Sequence, residues 1–185
     1  MGRDMMDVWS LRKATTIIDL GMYVNRYRIL TVGLFTAINA GFKYNGQLYN
    51  PDIVVAIGSG AHKQSQPDSE FVYFEGAPNF IIDVYNDFKS AEIKQRKLAY
   101  EEAGVQEYVI VSEDCEKVEW NRLIAGKFKK VKPDRDGMIR SAALPGLWIP
   151  TNKLRRDPFA VLASIEHGIT RREHHDLMDG IWNKN

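Results

Sequence analysis

The chain reads as an α+β protein, a mixed β-sheet flanked by helices. Three observations predict this. Short apolar runs rich in β-branched and aromatic residues stand at 52–57, 79–85 and 107–112, and each has the length and composition of a buried strand. Apolar residues recur at helical spacing near both ends and between 91 and 103. The order is helix, several strands, one helix, then more strands, which one α+β domain accommodates most simply.

Taken in order, residues 1–13 mix charges with Met5, Met6, Val8 and Trp9 and carry no clear pattern. Residues 14–40 predict a helical region, with Ile17, Ile18, Leu20, Tyr23, Val24 and Tyr27 on one period, and with Gly21 or Gly33 as a divider. Asn45-Gly46 between Phe42-Lys43-Tyr44 and Gln47-Leu48-Tyr49 is a hairpin signal, because both turn residues tolerate positive φ. The strand from Asp52 follows, then a polar loop over 58–70 and a short strand over 71–74. Ser90 is the expected N-cap and Gly104 the expected end of a helix over 91–103. Residues 117–123 and 128–131 flank Ala125-Gly126 as a second hairpin, 138–142 form a weak strand before the Leu144-Pro145-Gly146 turn, and 157–178 form a helical tail around Gly168. The expected organisation is a single domain over 1–185, with a core at about 40–150 between the two helical regions.

The 185 residues allow a sizeable core. Hydrophobic residues make up 44% and charged residues 26%, and the formal net charge is +1, so nucleic-acid binding would need a local patch rather than a global excess. The polar start lacks the apolar stretch of a signal peptide. The longest apolar stretch, 29–42, is too short for a bilayer and contains Asn39. Cys115 is the single cysteine, which excludes an internal disulfide and suits a reducing compartment. The expectation is a cytoplasmic chain with no membrane partner.

Asp52 opens the run Pro51-Asp52-Ile53-Val54-Val55, and Asp83 lies within Phe80-Ile81-Ile82-Asp83-Val84-Tyr85. A carboxylate in a buried strand is costly unless it is paired, hydrogen-bonded or metal-bound. Two carboxylates on adjacent strands, 31 residues apart in sequence, can hold Mg²⁺ or Mn²⁺, which prefer hard oxygen ligands. Such an ion polarises a phosphate and activates a water, and a nearby lysine steadies developing negative charge. The bland alternatives are that Asp52 merely starts a strand after a proline turn, and that Asp83 faces solvent at a sheet edge.

The segments Pro51-Asp52-Ile53-Val54-Val55, Ala77-Pro78-Asn79-Phe80-Ile81-Ile82-Asp83-Val84, Tyr100-Glu101-Glu102-Ala103-Gly104-Val105-Gln106-Glu107-Tyr108 and Leu144-Pro145-Gly146-Leu147 resemble, in order and spacing, the Uma-type restriction endonucleases. These belong to the PD-(D/E)XK nuclease superfamily. The resemblance covers about 40–150 and implies a restriction-endonuclease-like fold, a metal-dependent endonuclease activity on DNA, and Mg²⁺ or Mn²⁺ as cofactor. It makes Asp52 the first metal-binding acid, Asp83 the second (where the family usually has glutamate), and the main-chain carbonyl of Val84 a further ligand. The superfamily places a lysine two residues after the second acid, where this chain has Tyr85. In this family the lysine lies on the next helix, four residues before the tyrosine, where this chain has Arg96. A one-residue-short loop at 86–90 would restore Lys97, which is the preferred catalytic residue, with Lys94 and Arg96 as alternatives. By analogy of fold a homodimer would cut both strands. The alternative is a catalytically inactive nuclease-fold protein acting as a binding or assembly module.

Other residues carry weaker signals. Glu92-Ile93-Lys94 is a formal E-x-K, but Glu92 falls in the first turn of a helix, where its charge suits the dipole. His174-His175 lacks the spacing of a helical zinc site and reads as a solvated helix end. His62 sits in a polar loop. Cys115 lies in an acidic setting that disfavours a thiolate. Lys127, Lys129, Lys130 and Lys132 around Phe128 read as a solvated hairpin edge before they read as a DNA contact.

Overall fold

Strand burial with a period of two organises the molecule. The computed structural model describes residues 9–182. The helix α1 (Leu11–Ile29) comes first, then β1 (Leu34–Ile38), β2 (Gly41–Tyr44), β3 (Gln47–Tyr49) and β4 (Ile53–Ile57). Two short strands, β5 (Gln66–Pro67) and β6 (Tyr73–Glu75), precede β7 (Phe80–Tyr85), α2 (Ala91–Ala103) and β8 (Glu107–Ser112). The remainder is β9 (Val118–Ile124), β10 (Lys127–Val131), β11 (Met138–Arg140), β12 (Trp148–Pro150), α3 (Pro158–Gly168) and α4 (Arg172–Trp182).

Six strands form the main sheet in the order β1-β4-β7-β8-β9-β10. Only β7 and β8 pair in parallel, because α2 carries the chain between them; the other neighbours are antiparallel. The sheet is mixed and helices cover it, so the expected α+β class stands. Every residue of β4 is buried, since both faces are covered. Ile53, Val55, Ile57, Ile82, Val84, Val109 and Val111 pack toward α1 and α3 in one core. Val54, Ala56, Ile81 and Ile110 pack toward α2, with Ile93, Tyr100 and Tyr108, in the other. A fully buried Val or Ile stabilises the fold by about 1.5–3 kcal/mol, so this alternation strongly specifies register. A second sheet, β3-β2-β6-β5, carries the Asn45-Gly46 hairpin, and β11 pairs with β12.

The helical stretch expected over 14–40 is shorter in the structure. α1 starts earlier, at Leu11, with the Ser10 side chain accepting from the Lys13 amide. It ends at Ile29, and residues 34–38 form edge strand β1 against β4. Gly33 supplies the break: its φ is +94°, and a Cβ there would come within 2.5 Å of Ile181. Phe35, Thr36 and Ile38 are poor helix formers that suit a pleat. The tail likewise divides into α3 and α4. Gly168 packs so closely on Gly146 that a Cβ would sit 2.1 Å from its carbonyl oxygen.

His174 also departs from its expected place. It is buried at 4% exposure, with Nε2 2.9 Å from Thr31 Oγ1 and its ring edge-on to Tyr27. Burial, and then the neighbouring His175, lowers its pKa. α4 folds back on α1 here instead of ending in solvent.

The end of the sheet remote from Asp52 is tied by buried polar groups. Asn79 is fully buried; its Oδ1 accepts from the Ile57 amide at 2.8 Å, and its Nδ2 donates to the His62 carbonyl at 2.9 Å. Glu107, also fully buried, accepts from Arg122, the Ala142 amide and the Ser141 hydroxyl. Removing a partner leaves a buried donor unmade, which costs about 1–3 kcal/mol per group. Asn79→Ala is therefore expected to lower stability by about 3 kcal/mol in urea unfolding; a change below 0.5 kcal/mol would contradict the role given to Asn79.

Candidate active site

The β4–β7 register brings the two aspartates together. Ile53 pairs with Ile82 in antiparallel register, so one step outward sets Asp52 opposite Asp83. A backbone amide of each strand then binds the carboxylate of the other. The Asp52 amide donates to Asp83 Oδ1 at 2.9 Å, and the Val84 amide donates to Asp52 Oδ2 at 2.7 Å. Asp52, Asp83 and Val84 thus meet at one point. Asp83 is central in the sheet at 1% exposure, so the solvent-facing edge alternative does not hold.

Parity in β7 turns Asp83 toward α2, on the side of Ile81. Tyr108 donates to Asp83 Oδ2 at 3.0 Å, the Tyr100 hydroxyl lies 3.5 Å away, and Arg96 Nη1 lies 3.4 Å away. Burial raises the Asp83 pKa, Arg96 opposes that, and the nearby Asp52 charge adds to it; the balance leaves it at about 6.

α2 decides which cation faces this pair. Arg96 Nη1 donates to the Asn50 carbonyl at 3.0 Å and to the Tyr100 hydroxyl at 3.2 Å, and Nε donates to Glu92 at 3.0 Å. Lys97 is one residue on, about 100° around the helix. Its Nζ reaches Glu119 Oε1 at 2.8 Å, beside Lys130 on the other Glu119 oxygen at 3.0 Å. The structure therefore brings Arg96 to the aspartates and points Lys97 at β9. Lys94 is exposed and does not line the cleft. Of the hairpin lysines, Lys127 pairs with Glu101 and Lys130 with Glu119, as a salt-bridged edge would.

A cleft of about 180 Å³ opens onto Asp52, lined also by Lys13, Val84, Tyr85, Glu92, Arg96 and Glu113. Lys13, Tyr85 and Glu113 complete a site that the sequence left partial. Lys13 Nζ lies 3.0 Å from Asp52 Oδ2. The Tyr85 hydroxyl is buried, and among the described residues it has no hydrogen-bond partner. The Ser10 hydroxyl donates to Glu113 Oε1 at 3.0 Å, which ties the start of α1 to the end of β8. Ser10 before Leu11 is a legible N-cap, but nothing local indicates that the helix begins at a cleft. The other candidates lie elsewhere. The His62 carbonyl serves Asn79, and Cys115 is half-buried with its thiol pKa raised chiefly by burial.

A divalent ion fits the donors present. Asp52 Oδ1 accepts no hydrogen bond among the described residues, and it faces a cleft whose two cations meet three carboxylates, with Asp83 behind. Among the described residues, no group of three or more metal-ligating side chains is clustered tightly enough to hold an ion alone. Mg²⁺ needs no such cage, since it commonly takes one or two carboxylates and fills its shell with water and phosphate.

A mixed sheet with paired acids at the ends of adjacent central strands, and a helix following the second, is the arrangement of a restriction-endonuclease-like nuclease fold. The chain belongs to the Uma2 family, described as "Putative restriction endonuclease", whose model matches residues 14–152. A crystal structure from Anabaena variabilis, described as a "putative nuclease belonging to DUF820", aligns with TM-score 0.57 and 11% identity over 85% of this chain and 84% of that one. That likeness shows the fold. No curated protein matches the chain. No helix among the described residues is long and apolar enough to cross a membrane.

The buried acid sets a pH dependence. With its folded pKa near 6 against 3.8 as the ordinary value, Asp83 binds its proton more tightly when folded. Its contribution to stability is present below pH 4 and is lost as pH rises through 6. Urea unfolding of wild type beside Asp83→Asn from pH 4 to 7 is expected to show wild type losing stability relative to the variant. Parallel curves would rule out the raised pKa.

Proposed function

We propose that the chain hydrolyses phosphodiester bonds in DNA, using Mg²⁺ or Mn²⁺ held at Asp52 with Asp83 and the Val84 carbonyl. The observation that carries this reading is the excess of carboxylates over cations around Asp52. A bare phosphodiester would be repelled from such a cleft, and a divalent cation would be drawn to it. When bound, the ion polarises a phosphoryl oxygen and lowers the pKa of a water.

The chain's own residues do the rest. Asp52 offers its free oxygen to the cleft while the Val84 amide fixes the other. Asp83 holds the Asp52 backbone and orients Arg96. Arg96 gives fixed positive charge to the cleft wall, but it does not exchange protons readily. Hydrolysis joins a water oxygen to phosphorus and breaks one phosphorus–oxygen ester bond. One water proton is released and the leaving oxygen gains a proton. A wider groove of about 510 Å³ on the other side of Arg96 and Glu92, lined by Tyr49, Asn50 and Gln95, gives a strand a path away from the cleft. Cutting both strands of a duplex takes two such sites, as in a homodimer. A cytoplasmic setting suits the single cysteine.

The competing reading is a catalytically inactive nuclease-fold protein that serves as a binding or assembly module. One observation favours it: the cation that α2 turns toward the aspartates is Arg96, tied to Asn50, Glu92, Tyr100 and Asp83, and not Lys97. Calorimetric titration with Mn²⁺ separates the two. Wild type is expected to bind, and Asp52→Ala to lose binding together with at least about 100-fold of its plasmid cleavage. Wild type that neither binds Mn²⁺ nor nicks DNA would leave the inactive module standing.

A further inference from the structure

The helix position that faces the two aspartates holds Arg96, which is fully engaged, and Lys97 is paired with Glu119. The ammonium that lines the cleft comes instead from α1. We propose that Lys13, carried by the first turns of α1, is the cation that meets the scissile phosphate. The inference rests on the nuclease reading above.

Three observations support it. First, Lys13 lines the cleft with its side chain 22% exposed, and it pairs with the carboxylate that lines the same cleft, Asp52 at 3.0 Å. Second, the ammonium is held on aromatic faces rather than in a closed polar cage. It lies 5.8 Å from the Tyr85 ring centroid and 5.9 Å from that of Trp9. Aromatic faces attract a cation without fixing a donor direction, so the head can turn from one oxygen to another. Third, Tyr85 is two residues beyond Asp83 on β7, and Lys13 lies over its ring. Lys13 is thus held beside the end of β7 that carries Asp83 and Val84.

The position of Lys13 is well secured. Its amide caps onto Ser10, whose hydroxyl binds Glu113, and Thr16 donates to the Glu113 carbonyl at 2.6 Å. The helix end is therefore fixed to the end of β8, and the lysine head sits on Asp52 beside the cleft. With a divalent cation neutralising Asp52, the ammonium gains a better partner in a phosphate oxygen. There it opposes the negative charge that builds as the water oxygen bonds to phosphorus and the ester bond breaks. Lys13 keeps its proton throughout.

The test uses the full chain with Lys13→Met and Lys13→Arg, and with Lys153→Met as a remote control for loss of one charge. Mn²⁺ affinity is measured by calorimetry without DNA, and single-turnover cleavage of a short duplex is measured at saturating Mn²⁺. Lys13→Met removes a charge that competes for Asp52, so it is expected to bind Mn²⁺ about tenfold more tightly and yet to cleave about 100-fold more slowly. Lys13→Arg should restore part of the rate. The opposed changes in affinity and rate exclude simple misfolding, which would lower both. Lys13→Met that cleaves as wild type does would overturn the role of Lys13 and leave the nuclease reading intact. Wild type that binds no Mn²⁺ would overturn both.

Discussion

The molecule depends on a reciprocal bond between two strands. Asp52 gives its amide to the Asp83 carboxylate, and the residue after Asp83 gives its amide to the Asp52 carboxylate. Each acid thus acts as a backbone acceptor where β4 stops pairing with β7, so the charges are solvated by the sheet itself. A buried carboxylate without such donors would cost several kcal/mol. Because the donors are main-chain amides, the geometry survives side-chain changes that keep the register and both carboxylates. The register in turn is held by the apolar alternation of β4, and by Asn79 capping the far end of that strand on the Ile57 amide.

α2 adds a second constraint. Arg96 and Tyr100 lie one turn apart and both reach Asp83, while Lys97 reaches across to β9. The helix is therefore pinned in rotation by ties to two different strands. The raised pKa of Asp83 follows from this packing, because the tyrosines and the arginine that satisfy the carboxylate also exclude water from it. Asp52 keeps its access to solvent through the cleft. The two acids differ in environment: Asp83 is enclosed by α2 and its tyrosines, and Asp52 lines the cleft.

Much of this was legible in the residues. β4, β7, β8, the two hairpins and α2 with its Ser90 and Gly104 ends follow local patterns of apolar runs, turn pairs and caps. Asp52 and Asp83 stood out because apolar neighbours make a carboxylate expensive, and that argument needs no coordinates. The choice between Arg96 and Lys97 was not legible, since it depends on how the 86–90 segment sets the phase of a helix. The end of α1 at Ile29 was hidden by an apolar period that runs on through Leu30, Leu34, Phe35 and Ile38. Their strand role depends on β4 as a partner. Lys13 and the burial of His174 both arise from contacts more than 30 residues distant, and no local signal reports them.

The ties of α1 carry a consequence for the order in which the chain is made. Tyr23 donates to the Leu154 carbonyl, Tyr27 to the Pro145 carbonyl and Arg26 to Glu166. The residues that bring Asp52 and Asp83 together all precede residue 113, so a growing chain can bring the two acids face to face early. The helix that presents Lys13 packs partly on β1 and β7 and partly on α3, which comes later in the chain. During synthesis the two acids can thus face each other before α3 arrives to complete the seat of α1.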